Sequence, residues 1–458
     1  MIEDLKRAKG IVDSEPDEAM RICCEVMNKE LDSDVGQMAL FMAGYIMMNA
    51  GRTGIAYHMF MRCAQLKPNE PEIYSNMGMC LEEDKPEEAV KLFKKAMKLK
   101  PGNVTAMANL ALMNLQMGRP DECINLCNRV LKTNPESRAA HHNKGLAKLM
   151  KRDFSGWDEY FKTLGVKHRE ARSYGLPDWN GEEGTVLVYG EQGVGDEIMF
   201  ASCFEDLQKT NKIIFDCDKR LESIFKRNFD FEIHGTRFSD KPIEVSETPD
   251  YQCAIGQLPY FFRRNESDFP GKPYLKPDPE RAIQWESILE RGPRIGIAWN
   301  GGTKGTRQQY RSTDLEQFKP IIDMDAQIVN LEYKPVDDDQ MKEYGITNWP
   351  RAVLKGCDLE DTLALISRLD CVVTVCTTVV YLAGALGIPC YVIVPEYCGY
   401  RYHSFGSSFP WYNSVKLYRG GFNKSIREIK TDVENIHRIR PARDRSLPCT
   451  LPLNTKTG

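Results

Sequence analysis

Up to about residue 170 the chain is a succession of helix-like runs, apolar on one face. From there to about residue 440 it alternates short apolar runs with helical segments. The first pattern predicts packed amphipathic helices, the second parallel sheets covered on both faces. In the helical part Pro68, Pro101 and Pro135 each close a run, at intervals of 33 and 34 residues, the length of a helix–turn–helix repeat. A small residue recurs on the first helix of each unit: Gly44, Gly78, Ala111 and Gly145. On the second helix Ala56, Ala89, Cys123 and Trp157 are followed by Phe60, Phe93, Cys127 and Phe161. Helices that cross closely need a small residue at the crossing and a bulky one beside it. Residues 1 to about 33, with Ile11, Ala19 and Ile22, read as a degenerate opening unit. The run Gly175-Leu176-Pro177-Asp178-Trp179-Asn180-Gly181 then breaks the periodicity, which places the boundary near residue 170.

Strands are predicted at 185–190, 212–217 and 251–255, and again at 294–299, 327–331, 371–375 and 390–394. The expected fold class is therefore α + α/β. A helical array over 1–170 precedes two Rossmann-like halves, 171–280 and 281–440, joined near Pro277-Asp278-Pro279 and facing a cleft, with a polar tail over 441–458. Open sheets of this kind bind ligands beyond the carboxyl ends of their strands.

The loops at those ends carry the candidate chemistry. Strand 185–190 empties into Gly190-Glu191-Gln192-Gly193-Val194-Gly195-Asp196-Glu197, where Gly193 and Gly195 allow close approach of backbone to a phosphate or sugar. A helix is expected to begin at Ile198, with an anion near its start and Asp196 as an active-site carboxylate. The stretch from Asn300 to Ser312 combines three glycines with Lys304, Arg307 and Arg311 and reads as a phosphate loop. After strand 371–375, Thr377 or Thr378 is positioned to cap the apolar helix that includes Tyr381, whose N-terminus can hold a phosphate. Glu332 and Tyr333 border a presumed nucleotide base, and Arg401 and His403 lie on a loop facing the presumed cleft. Asp216-Cys217-Asp218 and Asp337-Asp338-Asp339 mimic a DxD metal motif but read as a strand end and a solvated loop. His141-His142 lacks metal-ligand spacing, so no metal is expected.

The repeat positions resemble the tetratricopeptide repeat. Gly190 to Phe200, the loop after Trp299 and Val375 to Leu386 together resemble tetratricopeptide-repeat proteins whose C-terminal region is similar to bacterial heptosyltransferases of the GT-B glycosyltransferase fold. Supporting stretches are Phe154 to Phe161, Pro177 to Gly181, Gln257-Leu258-Pro259 and Phe409-Pro410-Trp411-Tyr412. The resemblance implies inverting, metal-independent transfer of a sugar from a nucleotide-diphosphate donor, which is a co-substrate and leaves no cofactor to be held. It implies Asp196 as general base and, by position, Lys304 and Arg311 on the donor phosphates. Gly193, Gly195, Asn300, Glu332, Thr377, Thr378, Tyr381 and Arg401 complete the expected donor site. The Asp-Thr-Gly turn and following histidine typical of heptosyltransferases read Cys376-Thr377-Thr378 and Tyr381 here, so the Asp and the His are both missing.

Composition narrows the partners. The 458 residues carry a net charge of −4 with 28% charged residues, so no overall basic field recruits nucleic acid; the basic run from Ile436 to Arg445 keeps a polyanionic acceptor open. The N-terminus, Met1-Ile2-Glu3-Asp4-Leu5-Lys6, has no apolar targeting segment, no apolar run reaches the roughly 18 residues of a membrane span, and a cytoplasmic protein is expected. The 15 cysteines are scattered without CxxC spacing and read as reduced, packed thiols. A protein or glycan acceptor bound by the repeats is the expected partner beside the nucleotide sugar. The alternatives are a non-catalytic scaffold with a degenerate sugar-nucleotide site, and an enzyme glycosylating modified DNA bases.

Overall fold

The small-and-bulky pairing sets the helical part. In this computed structural model, which describes residues 1–166, 169–239, 243–302, 308–353 and 358–439, a Cβ on Gly44 would stand 2.9 Å from the Phe60 ring, and one on Gly78 would stand 2.7 Å from that of Phe93. The aromatic ring of one helix thus lies on the bare backbone of its neighbour, and both rings are fully buried. Residues Met1–Lys148 form one compact unit. Its helices are α1 (Ile2–Ile11), α2 (Pro16–Glu30), α3 (Asp34–Asn49), α4 (Thr53–Leu66), α5 (Pro71–Leu81), α6 (Pro86–Leu99), α7 (Val104–Gln116), α8 (Pro120–Thr133) and α9 (Arg138–Met150), each from α1 to α7 packing on the next. Proline occupies the first position of α2, α5, α6 and α8, where its missing N–H costs nothing. Pro68, Pro101 and Pro135 follow the ends of α4, α6 and α8, as the period predicts. In the third pair Cys127 takes the place of the aromatic, its thiol 3.9 Å from that of Cys123.

The second compact unit begins at Leu149, not near residue 170. Trp157 and Phe161, which the period assigns to a further repeat, lie on the short helix α10 (Gly156–Phe161). Trp157 packs edge-on against Phe200 and Tyr400, and Phe161 lies tilted against Tyr260 at 4.5 Å. The helix is too short to close a repeat and is an integral part of the α/β unit.

That unit contains two wholly parallel sheets. In the first, β1 (Thr185–Tyr189), β2 (Lys212–Asp216), β3 (Glu232–His234) and β4 (Tyr251–Ala254) are ordered β3-β2-β1-β4. In the second, β5 (Arg294–Ala298), β6 (Gln327–Asn330), β7 (Cys371–Val375), β8 (Cys390–Ile393) and β9 (Val415–Tyr418) are ordered β6-β5-β7-β8-β9. β1, β5 and β7 are buried along their whole length, as strands covered on both faces must be. β3 and β9 were not foreseen: β3 has three residues, and β9 exposes Lys416 on the sheet edge. The order reverses between β1 and β4 and again between β5 and β7. Those switch points open crevices beyond the strands' carboxyl ends, where the glycine loops emerge. Near the connection, the Arg227 guanidinium pairs with the buried Glu360 carboxylate, linking the two sheets' helices. Among the described residues no helix is long and apolar enough to cross a membrane.

Candidate functional site

The loop after β1 turns into helix α11 (Val194–Ala201) earlier than expected, so Asp196 and Glu197 occupy its first turn. Their negative charge answers the helix N-terminus from within the chain, where an external anion was anticipated. The two side chains diverge. Glu197 turns inward, fully buried, and accepts from Arg237 Nη1 at 2.5 Å and from the Asp218 backbone N–H at 2.9 Å. Burial pushes its carboxyl up to about 7 against both of these bonds. A Cβ on Gly190 would lie 2.2 Å from the Glu197 carboxylate, so this glycine makes room for the acid.

Asp196 turns outward, its side chain 16% exposed, and meets Arg401, which arrives from the loop after β8. Arg401 Nε donates to Asp196 Oδ1 at 2.5 Å and its Nη2 donates to Gln192 Oε1 at 3.3 Å. Burial works against the guanidinium charge, but Asp196 outweighs it and holds the Arg401 pKa above its usual range. Among the described residues nothing donates to Asp196 Oδ2. Tyr400 lies under the guanidinium, 4.5 Å from ring centre to Cζ. Behind this pair the buried Glu191 is 3.6 Å from Arg169 Nε and accepts from the Gly256 N–H at 3.3 Å, and burial raises its pKa. None of Glu191, Glu197, Arg169 or Arg237 was expected; the only sequence signal was three acids in one glycine turn.

Gly195 serves a close approach, but to this chain's own Tyr381: an added Cβ would meet its ring at 2.8 Å and Thr378 Oγ1 at 3.5 Å. Gly193 is open, with Asp196 Oδ2 as its nearest contact at 3.6 Å. Tyr381 is buried, with burial pushing its hydroxyl up to about 12. It stands on the helix Val379–Leu386, whose N-cap is Thr378; neither threonine caps it through a side-chain bond, and Thr377 is buried.

At the switch point of the second sheet, Arg311 Nη2 donates to the Cys376 carbonyl at 2.6 Å, bridging the loops after β5 and β7. Gly301 lies between them, where a Cβ would be 2.6 Å from the Cys376 oxygen and 2.7 Å from the Arg311 oxygen. Glu332, expected beside a base, is fully buried and accepts the backbone N–H groups of Trp299 (3.2 Å), Asn300 (2.7 Å) and Lys334 (3.2 Å). Its carboxyl, raised by burial, ties the backbone of the loops after β5 and β6 together. Tyr333 donates its hydroxyl to the Gly302 carbonyl at 2.6 Å. Lys304 lies outside the described residues.

The remaining candidates make contacts within the chain. Asp216 accepts from Tyr174, Arg172 and Thr236, and Asp218 from Arg220. Asp337 caps the helix Asp338–Glu343. His403 adopts φ 55° and donates Nδ1–H to the Leu149 carbonyl at 2.8 Å; burial lowers its pKa to about 4, so the ring is neutral. Of the basic run, only the part up to Ile439, in the last helix, is described.

Residues 80–149 match the tetratricopeptide-repeat family. Protein FlbA of Caulobacter vibrioides is 26% identical over 291 residues, covering 57% of this chain; the chain spans about half the length of that relative, 48% of it. Among solved structures, MamA of Desulfovibrio magneticus RS-1 is 19% identical, with 36% of this chain and 94% of that chain covered and a TM-score of 0.31. A thermophilic tetratricopeptide-repeat protein of Thermus thermophilus is 12% identical over 35% of this chain and 89% of that one, also at 0.31.

Proposed function

We propose that the α/β unit is an inverting, metal-independent glycosyltransferase of the GT-B kind, transferring a sugar from a nucleotide-diphosphate donor, with the repeats selecting a protein or glycan acceptor. The observation that carries this reading is the meeting of Asp196, from the turn after β1, with Arg401, from the loop after β8: an acid and a cation from separate sheets, beside crevices of the type that binds nucleotides. In this reading Asp196 takes the acceptor hydroxyl proton through Oδ2 as the anomeric carbon is attacked, and Arg401 fixes the carboxylate through Oδ1. Arg311 offsets the negative charge that grows on the departing diphosphate. The tetratricopeptide match supports a protein partner for the helical unit.

The test is a panel of nucleotide sugars titrated into the full chain by calorimetry, with release of nucleoside diphosphate followed in the presence and absence of EDTA. Binding with release that survives the chelator supports the proposal. A second reading, a sugar-nucleotide-binding scaffold without turnover, draws on Cys376 and Tyr381 standing where heptosyltransferases have Asp and His. Binding without release would favour it, and failure of every nucleotide sugar to bind would refute both.

A further inference from the structure

Two residues beyond Arg401 the backbone takes a course that glycine follows freely and other residues pay to follow. His403 has φ 55° and ψ 175°, in a region nearly reserved for glycine. Among the described residues Arg152, at φ 58°, is the other non-glycine residue with a left-handed φ, and it lies against the same loop, donating Nη2–H to the Ser408 carbonyl at 2.9 Å. The conformation of His403 is held by bonds at its backbone and its ring. Its N–H donates to the Tyr400 carbonyl at 3.1 Å, its own carbonyl accepts from Cys398 Sγ at 2.8 Å, and its Nδ1–H reaches the Leu149 carbonyl at 2.8 Å. That carbonyl already accepts the Arg152 N–H at 3.0 Å, so the imidazole is not required to satisfy it; what the bond fixes is the loop. Nε2 is buried with no partner among the described residues, which leaves Nδ1 as the ring's polar anchor. Next in the chain, Ser404 donates its N–H (2.8 Å) and its Oγ–H (3.0 Å) to the Met150 carbonyl. Leu149 and Met150 belong to the α/β unit. With Ser404 tethered, the φ of His403 sets the direction of the single helical turn Tyr400–Tyr402, which carries Arg401 to Asp196.

We propose that His403 is a positioning residue: by holding a glycine-like backbone through its ring, it aims Arg401 at Asp196. A histidine relaxed to an ordinary φ would swing the turn and draw the guanidinium away from Oδ1. The effect on turnover rests on the sugar-transfer reading, whereas the aim of Arg401 does not.

Deuterium exchange of the full chain, read by mass spectrometry over residues 190–197 and 398–406, tests this. His403→Ala keeps the backbone penalty and loses the ring, and it should speed exchange in both segments by about tenfold or more. His403→Asn, which retains a side-chain N–H, should stay within about threefold of wild type. Arg401→Met should loosen 190–197 by itself, and adding His403→Ala to it should change 398–406 alone. Circular dichroism and a thermal melt check folding, and His403→Gly, free of strain but without the ring, gives the same readout should the alanine variant fail to fold. Faster exchange in 398–406 with 190–197 unchanged would overturn the aiming role, as would an equal loosening of 190–197 by His403→Ala in the Arg401→Met background. If the exchange pattern holds while the wild type turns over no nucleotide sugar, the sugar-transfer reading falls and the positioning role stands; if sugar is transferred, His403→Ala should lower kcat with KM nearly unchanged.

Discussion

The two parallel sheets have similar crevices and opposite electrostatics. Beyond β1 gather three acids, Glu191, Asp196 and Glu197, each with its own arginine: Arg169, Arg401 and Arg237. Beyond β5 and β6 stand Arg311 and Lys334, whose Nζ has no hydrogen-bond partner among the described residues, while the Glu332 carboxylate accepts backbone N–H groups. The first region balances its charges and exposes one carboxylate edge; the second keeps a positive surplus. The lesson is that a strand–loop–helix plan sets only where a ligand can lie. Whether the place suits a proton acceptor or an anion depends on which side chains the loop's own backbone has already satisfied.

The sharpest way to break this contrast is Asp196→Asn. Under the proposed chemistry it should cut sugar transfer by roughly 10²–10⁴ while leaving nucleotide affinity nearly intact, measured by product formation and calorimetry on the same preparation. Turnover at the wild-type level would remove the acid from its role.

The buried acid beside it gives a pH signature. Glu197 is raised from an ordinary 4.5 to about 7, so the folded chain holds a proton that the unfolded chain releases between those values. Its contribution to stability is full below that window and is lost as pH rises through it, by up to about 3 kcal/mol. Urea melts at pH 4.5 to 8 should show the decline, and Glu197→Gln should flatten it. An equal slope in the variant would assign the pH dependence elsewhere.

On the other sheet, Arg311→Ala should weaken nucleoside-diphosphate binding by about 1.5–3 kcal/mol, the worth of a charge-assisted hydrogen bond. Crossed results, with Asp196→Asn sparing affinity and Arg311→Ala reducing it, would sharpen the division; equal losses from both would erase it. Gly195→Ala probes the contact between the two regions. Its Cβ would press on Tyr381 at 2.8 Å, and a destabilisation of about 1–3 kcal/mol is expected in thermal melts, partly recovered by Tyr381→Leu.

Much of this architecture was legible from residue spacing, because spacing encodes packing. Gly44 with Phe60 and Gly78 with Phe93 announce a helix crossing, and the long apolar runs became central strands. Spacing misled where chemistry outweighed period: Trp157 and Phe161 fall in phase with the repeats but pack within the α/β unit, and β3 is too short and polar to register. Around the candidate site, the glycine turn that carries Asp196 is legible because a glycine run ends an apolar strand. The inward rotation of Glu197 and the backbone-bound carboxylate of Glu332 are not, since each depends on partners distant along the chain. Gly195 was noticed as a point of close approach, and in the structure this chain's own Tyr381 lies against it.

The bond between Arg401 and Asp196 makes any parting of the two sheets a separation of charge. A contact held in this way should loosen in concentrated salt, because ions reach a pair whose side chains are 23% and 16% exposed. Ionic strength then becomes a handle on opening at this pair, and under the proposed chemistry exit of a product would quicken with salt even where the reaction itself did not.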